Sequence, residues 1–423
     1  MDRSMWAVLA GTFTLRFSTG LTGAMLGVYL ARLPRHGGPE VDPIVVGLFS
    51  ATFFLAELIL SPVFGILSDR LGHHRVMLYG PAFGAIAVIL TGLTTNLVIL
   101  GGTRWLEGAS TAASVPSILG FIAFVTARDE GLRGKMSARF EGATLLGIGA
   151  GFAVAPVAFD LFGPVAFFIN AAIYGVSFLI FRTVEEPAGE QAAAREPHVG
   201  FRRYGELLRS THVWLLAPTW IAVNASIGLW FSQSIFQLAK PNPAFPDQVL
   251  MRGFSGPQIS AGAVVVGILF GLGLLYWGNR FRNTRRTTII LYGILGGAAL
   301  VGAGLLVNHA DAFPAVVVLV AAVVAGFGLF VLAGATPAAL GLLADISERF
   351  PNDRGAIMGL YSVFLAIGQI VGALVGGFAA HERGIDGMLV ATVVLLSIAL
   401  LPLAQLRRDE SAFGIDEPAD DTA

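Results

Sequence analysis

Apolar runs of roughly 20 residues, the length of helix that crosses a bilayer core, recur from one end of the chain to the other. Each is closed by a short cluster of arginines, prolines or glycines. The pattern predicts helical spans at residues 5–33, 44–67, 76–93, 97–127, 137–160, 163–184, 211–239, 258–278, 287–307, 313–343, 355–380 and 387–406. Several exceed the minimum length, which implies tilt or extension beyond the lipid rather than extra crossings. Strands of a membrane barrel would be short and alternating, and these runs are neither. The expected fold class is an all-α membrane protein.

Composition agrees. Of 423 residues, 55% are hydrophobic and 13% charged, with a mean hydropathy of +0.73, too apolar for a protein that keeps polar residues against water. Basic residues set the orientation, because Lys and Arg near span ends stay in the cytoplasm. With a cytoplasmic N-terminus, the outer loops hold five of the 27 basic residues (Arg32, Arg35, Lys240, Arg252, Arg383). Arg16 and Arg104 lie within spans, and the remaining 20 fall on the inner side. Both termini are therefore expected in the cytoplasm of a multi-pass cell-membrane protein. The first apolar stretch is too long for a cleaved signal peptide and reads as the first span. The absence of cysteine excludes disulfides and thiolate metal sites. A net charge of −1 without a basic patch gives no footprint for nucleic acid.

The one long polar stretch, residues 185–209, reads as a cytoplasmic linker, and the chain repeats itself across it. At an offset of 221 residues Pro116-Ser-Ile-Leu-Gly120 matches Pro337-Ala-Ala-Leu-Gly341. Arg128 matches Arg349, Arg133-Gly134 matches Arg354-Gly355, Gly147 matches Gly368 and Gly151 matches Gly372. The reading is two pseudo-symmetric six-helix bundles, 1–184 and 210–406, with a cytoplasmic tail at 407–423. The shared prolines kink spans four and ten, the Arg-Gly pairs open spans five and eleven, and glycines four apart let backbones approach closely. Gly147, Gly149 and Gly151 lack the preceding strand and the Lys-Ser/Thr of a phosphate cradle, so helix packing is their expected role.

Between spans two and three stands Gly65-Ile-Leu-Ser-Asp69-Arg70-Leu-Gly72-His-His-Arg75. It resembles the signature loop of the major facilitator superfamily, Gly-x-x-x-Asp-Arg-x-Gly followed by basic residues. A degraded copy, Asn279-Arg280-Phe-Arg282-Asn-Thr-Arg285-Arg286, lies 210 residues on. Arg104-Trp-Leu-Glu107-Gly108-Ala-Ser-Thr-Ala112 is similar to a second family pattern. The helix-5 pattern of drug–proton antiporters is partly present: Gly147, Gly151 and Pro156 remain, and Ala155 replaces the glycine before the proline. The resemblance implies a transporter of two halves related by an axis along the membrane normal. It also implies that Asp69 latches the inner gate against the N-terminus of helix 11, with Gly65, Arg70, Gly72 and Arg75 shaping the latch. His73 and His74 read as exposed loop substitutions.

A charge at a helix centre costs about 2.5–3.5 kcal/mol, so it faces a partner or a wet cavity. The candidates are Arg16, Glu57, Arg104 and Glu107, with Glu141 and Asp160 nearer the ends of span five. Arg16 and Glu57 share a depth and could pair; Arg104 and Glu107, three apart, share a helix face. At the repeat offsets Arg104 becomes Ala325, Glu107 Gly328, Glu141 Ser362 and Glu57 Gly267. The scaffold is duplicated and the ionisable residues are not, which places proton coupling in the first half. Neutral hydrogen-bonding groups in the second half, Asn224, Gln233 and Gln369, are candidates for lining a substrate cavity.

No HExxH, GxSxG or histidine cluster is present, so no catalytic or metal centre and no cofactor are expected. The expectation is a monomeric secondary transporter exchanging a small molecule for protons, exporting a hydrophobic or amphipathic cargo. Uptake of a small neutral metabolite, lysolipid or lipid translocation, and a non-transporting assembly role on the same fold are the alternatives.

Overall fold

The computed structural model describes residues 3–126, 129–185, 213–280, 284–348 and 354–412. The expected linker lies outside them apart from Glu185, as does the tail from residue 413. The helices are α1 (Arg3–Ala31), α2 (Pro43–Leu71), a short α3 (His73–Met77), α4 (Tyr79–Leu93), α5 (Leu97–Val125), α6 (Glu130–Phe162), α7 (Val165–Arg182), α8 (Val213–Ala239), α9 (Gly256–Gly278), α10 (Arg286–Asn308), α11 (Ala315–Leu332), α12 (Ala335–Glu348) and α13 (Arg354–Ala412). The described residues contain no strand. At ~1.5 Å per residue a continuous α13 would be several bilayer cores long. It is broken by non-helical backbone at Arg383 and Gly384, where Gly384 takes φ +59°.

Among the described residues, nine stretches are long and apolar enough to cross a membrane. The first and seventh predicted spans, now α1 and α8, are not among them, because they carry polar residues that face inward. Thr12, Arg16, Ser18 and Thr22 of α1 and Thr219, Asn224, Ser226 and Gln233 of α8 are all buried. The opposite pattern marks α9 and α11, whose Val265, Ile268 and Leu275, and Leu319, Val323 and Phe327, are exposed. Side chains of that kind are stable outward only against lipid tails.

By contacts the chain falls into two compact units. The first comprises 1–195 with the segments 234–241 and 253–264, and the second comprises 196–233, 242–252 and 265–423. In the first unit α1 packs on α6 and α7, and α2 on α5; one core gathers Tyr29, Phe159, Phe167, Phe236 and Ile259. The core of the second unit is built around Trp220, Ile290, Leu342, Phe364 and Leu396.

The repeat is visible as packing. A Cβ on Gly147 of α6 would lie 2.7 Å from the Phe13 carbonyl and 2.9 Å from the Arg16 Cβ; one on Gly368 of α13 would lie 2.8 Å from the Ile221 carbonyl and 2.6 Å from the Asn224 Cβ. Gly151 likewise lies against Phe17 and Leu21, and Gly372 against Ala225 and Leu229. The same α1–α6 contact is thus made by α8 and α13, and it equates Arg16 with Asn224. Close approach, not backbone flexibility, is what these glycines provide. Gly151→Ala is expected to overpack the seam, lowering stability by about 1–3 kcal/mol, while Gly149→Ala, whose added methyl would meet nothing within 4 Å, changes nothing. Thermal unfolding of both variants in detergent checks this.

Two local expectations change. Helix α6 opens at Glu130 rather than at Arg133-Gly134, because Asp129 caps it, its carboxylate accepting the Leu132 N–H at 2.8 Å. Pro116 is carried inside α5, whereas the equivalent Pro337 lies in the first turn of α12, just after the break at Ala333-Gly334 that separates it from α11.

Candidate functional site

Helices α1, α2, α5 and α6 of the first unit bring charged side chains together. Arg104 and Glu107 sit one turn apart on α5 and form a direct ion pair, with side-chain exposures of 10% and 2%. The pair uses Glu107 Oε2. Its Oε1 is fully buried and meets no hydrogen-bond donor among the described residues. The Arg104 guanidinium also lies 4.8 Å from the ring centre of Phe53 on α2, a cation–π contact that strengthens where water is excluded.

Arg16 of α1 is buried and donates from Nη1 to Thr111 Oγ1 of α5 at 3.4 Å. It does not form the expected ion pair with Glu57. Glu57, half-buried on α2, and Glu141, exposed on α6, both stand within electrostatic range of Arg16. Tyr174 of α7, 1% exposed, interacts with both arginines, and its hydroxyl lies 3.4 Å from Thr19 Oγ1 of α1. Arg16, Glu57, Arg104, Glu107 and Glu141 are therefore one electrostatic cluster, and Tyr174, Thr111 and Thr19 belong with it. Nothing along the chain marks these three, since a tyrosine and threonines in apolar helices read as packing. Two guanidiniums face three carboxylates, so with every group ionised the cluster holds one uncompensated negative charge.

The second unit answers each of these positions with a neutral residue. Asn224, where α1 has Arg16, donates to the Trp220 carbonyl at 2.9 Å. Gln369 of α13 is buried beside Gly228 of α8 and makes no side-chain hydrogen bond among the described residues. Gln233 is fully buried. Trp230 donates to Thr392 Oγ1 at 3.0 Å. At the 221-residue offset Tyr174 becomes Leu395, so the phenol too is confined to the first half.

The Asp-Arg motif is not a loop. α2 runs through it to Leu71 and ends at Gly72, whose φ of +95° no L side chain adopts comfortably. Asp69 and Arg70 stand exposed in the last turn, as does Arg75 in α3, while a Cβ on Gly65 would have room, 3.8 Å from Pro116. A carboxylate at a helix C-terminus is disfavoured by the helix dipole, and α3 has no side-chain cap. Asp69 thus stabilises neither adjoining helix. The side chains that open α13 lie outside the described residues. His73 and His74 are half-buried rather than exposed: His73 Nδ1 bonds Ser68 Oγ at 2.6 Å, and His74 Nε2 meets the Phe181 carbonyl at 3.1 Å.

Lipid-facing apolar helices, polar inner helices and a buried charge cluster without a metal-ligating group among the described residues define a polytopic membrane transporter. The sequence profile of the Major Facilitator Superfamily matches residues 8–345 and 236–421, and the chain belongs to that superfamily. It is 28% identical over 347 residues to "Multidrug resistance protein 1" of Bacillus subtilis (strain 168), covering 78% of this chain and 79% of that protein. It is 23% identical over 420 residues to "Quinolone resistance protein NorA" of Staphylococcus aureus (strain MSSA476), covering 96% and 99%. Among solved structures, the nucleoside transporter NupG superposes with a TM-score of 0.71 at 14% identity, covering 96% of this chain and 99% of that one. A bacterial homolog to the human lysosomal transporter Spinster, in an inward-facing and unoccupied conformation, does so at 0.70 and 13%, covering 99% and 100%. These likenesses carry the fold. The protein is a transporter and not an enzyme.

Proposed function

We propose that the chain is a proton-coupled exporter of hydrophobic or amphipathic small molecules. In this reading the chain forms twelve transmembrane helices in two six-helix bundles, 1–184 and 210–406, and works by alternating access. The linker, the tail and both termini are cytoplasmic, and a monomer in the cell membrane suffices. The observation that supports it is the charge imbalance of the first-half cluster. Three carboxylates share two guanidiniums, so one proton or one cationic cargo balances the cluster where charge is costly; the second oxygen of Glu107, buried with no donor among the described residues, is where either binds, and exchange of one for the other couples the two fluxes. The neutral Asn224, Gln233 and Gln369 of the second unit suit a weakly polar cargo. The names of the matched resistance proteins point the same way.

Asp69, favouring no helix of its own, suits a latch on another helix's N-terminus; Gly65, Arg70, Gly72 and Arg75 shape that inner gate. An interaction of about 0.3–2 kcal/mol biases two states without locking either. Asp69→Asn is expected to raise the inward-open population, read as a longer distance between labelled cytoplasmic helix ends; unchanged distances would remove the latch from this account. The function itself is tested with protein reconstituted in liposomes. An imposed pH gradient is expected to drive accumulation of a hydrophobic cation such as tetraphenylphosphonium, and accumulation that ignores the gradient would refute proton coupling.

A further inference from the structure

Asp160 lies near the end of α6, on the opposite face of the membrane from Asp69, and the coupling cluster does not use it. One of its carboxylate oxygens forms an ion pair with Arg32, just beyond α1. The other accepts the backbone N–H of Gly256, the first residue of α9. The local sequence makes that N–H available. In Ser255-Gly256-Pro257-Gln258 the Gln258 side chain turns back to accept the Ser255 N–H and hydroxyl, both at 3.0 Å, and Pro257 has no N–H. A capping box closed in this way leaves the Gly256 donor at the positive end of the helix without an internal partner.

The fit excludes substitutes. A Cβ on Gly256 would overlap the Pro156 carbonyl and lie 2.6 Å from Asp160 Oδ2. Around the contact, Ile259 of α9 packs into the core that holds Phe159, Ala155 and Phe236. Lys240 donates to the Val41 carbonyl at 2.8 Å, and Ser260 is buried with no partner for its hydroxyl among the described residues. The first turns of α9 and the last of α8, both from the second sequence half, thus belong by contact to the first compact unit. Asp160 joins three chain segments far apart in sequence through one carboxylate with both oxygens in use.

We propose that Asp160 is the outer-gate residue of the transport cycle: its carboxylate clamps Arg32 and the N-terminus of α9 to hold the outer side closed, and the outward-open state forms when it lets go. This rests on the alternating-access reading and on the topology with cytoplasmic termini. With Asp69 it gives the molecule a carboxylate clamp at each membrane face, acting in opposite halves of the cycle.

The native chain has no cysteine, so single reporters need no background removal. Ser260→Cys, buried beside the clamp, is labelled with a membrane-impermeant maleimide applied separately to each face of sealed vesicles. Asp160→Ala is expected to raise its labelling rate about tenfold. Asp160→Asn, which keeps an acceptor for the Gly256 N–H but loses the charge, is expected to raise it less. Ala87→Cys, buried within α4, reports general loosening and is expected to stay protected in both variants. An unchanged Ser260→Cys rate in both variants, or an equal rise at Ala87→Cys, would overturn the clamp. The face from which the extra labelling comes tests the topology separately.

Discussion

Glu107→Gln is expected to abolish gradient-driven transport, reducing cation accumulation in liposomes under an imposed pH gradient to the level of empty vesicles. Glutamine keeps the size of the side chain and an acceptor for Arg104, so the helix packing around it is preserved. What it loses is the ability to exchange a proton. One oxygen of Glu107 is held by Arg104 and the other is buried without a donor among the described residues, which leaves that second oxygen as the place where a proton binds or a cargo cation approaches. Energetically downhill counterflow, which needs the alternation but not the proton, is expected to persist in Glu107→Gln. Loss of counterflow together with driven transport would mean that Glu107 only holds the bundle together.

Arg104→Leu is expected to be the most damaging single substitution to stability. Removing one member of a buried ion pair strands the other, at a cost of about 3–5 kcal/mol, and here the Phe53 contact is lost as well. Replacing both partners removes the stranded charge. The double variant Arg104→Leu/Glu107→Leu is therefore expected to recover most of the unfolding midpoint lost by Arg104→Leu while remaining inactive. A double variant no more stable than Arg104→Leu would show that the pair's charges are not what the fold depends on.

Much of the fold was legible from hydropathy and from the 221-residue repeat, because lipid demands long apolar helices and close helix packing demands small residues at fixed spacing. The equivalence of Arg16 and Asn224 was not. The loops of the two halves differ in length, so α1 and α8 align at 208 residues and the later helices at 221, and no single offset relates both sets. The Arg104–Glu107 pair was readable because its partners lie one helical turn apart. The Arg16–Glu57 pairing failed because shared depth does not fix which way a side chain turns, and Thr111, 95 positions along the chain, takes the nearer place. Tyr174 and the Asp160 clamp were invisible for the same reason: their partners come from helices distant in sequence. The Asp-Arg motif reads as a loop, but α2 runs on to Leu71 and ends at Gly72, so Asp69 and Arg70 lie in its final turn.

The central claim is that coupling resides in the first half, in a carboxylate that exchanges a proton for cargo. Proton release on adding tetraphenylphosphonium to detergent-solubilised protein in weakly buffered solution tests it most directly. The wild-type protein is expected to release protons on saturation with the cation, and Glu107→Gln to release none while still binding it. Equal release from both proteins would contradict the account.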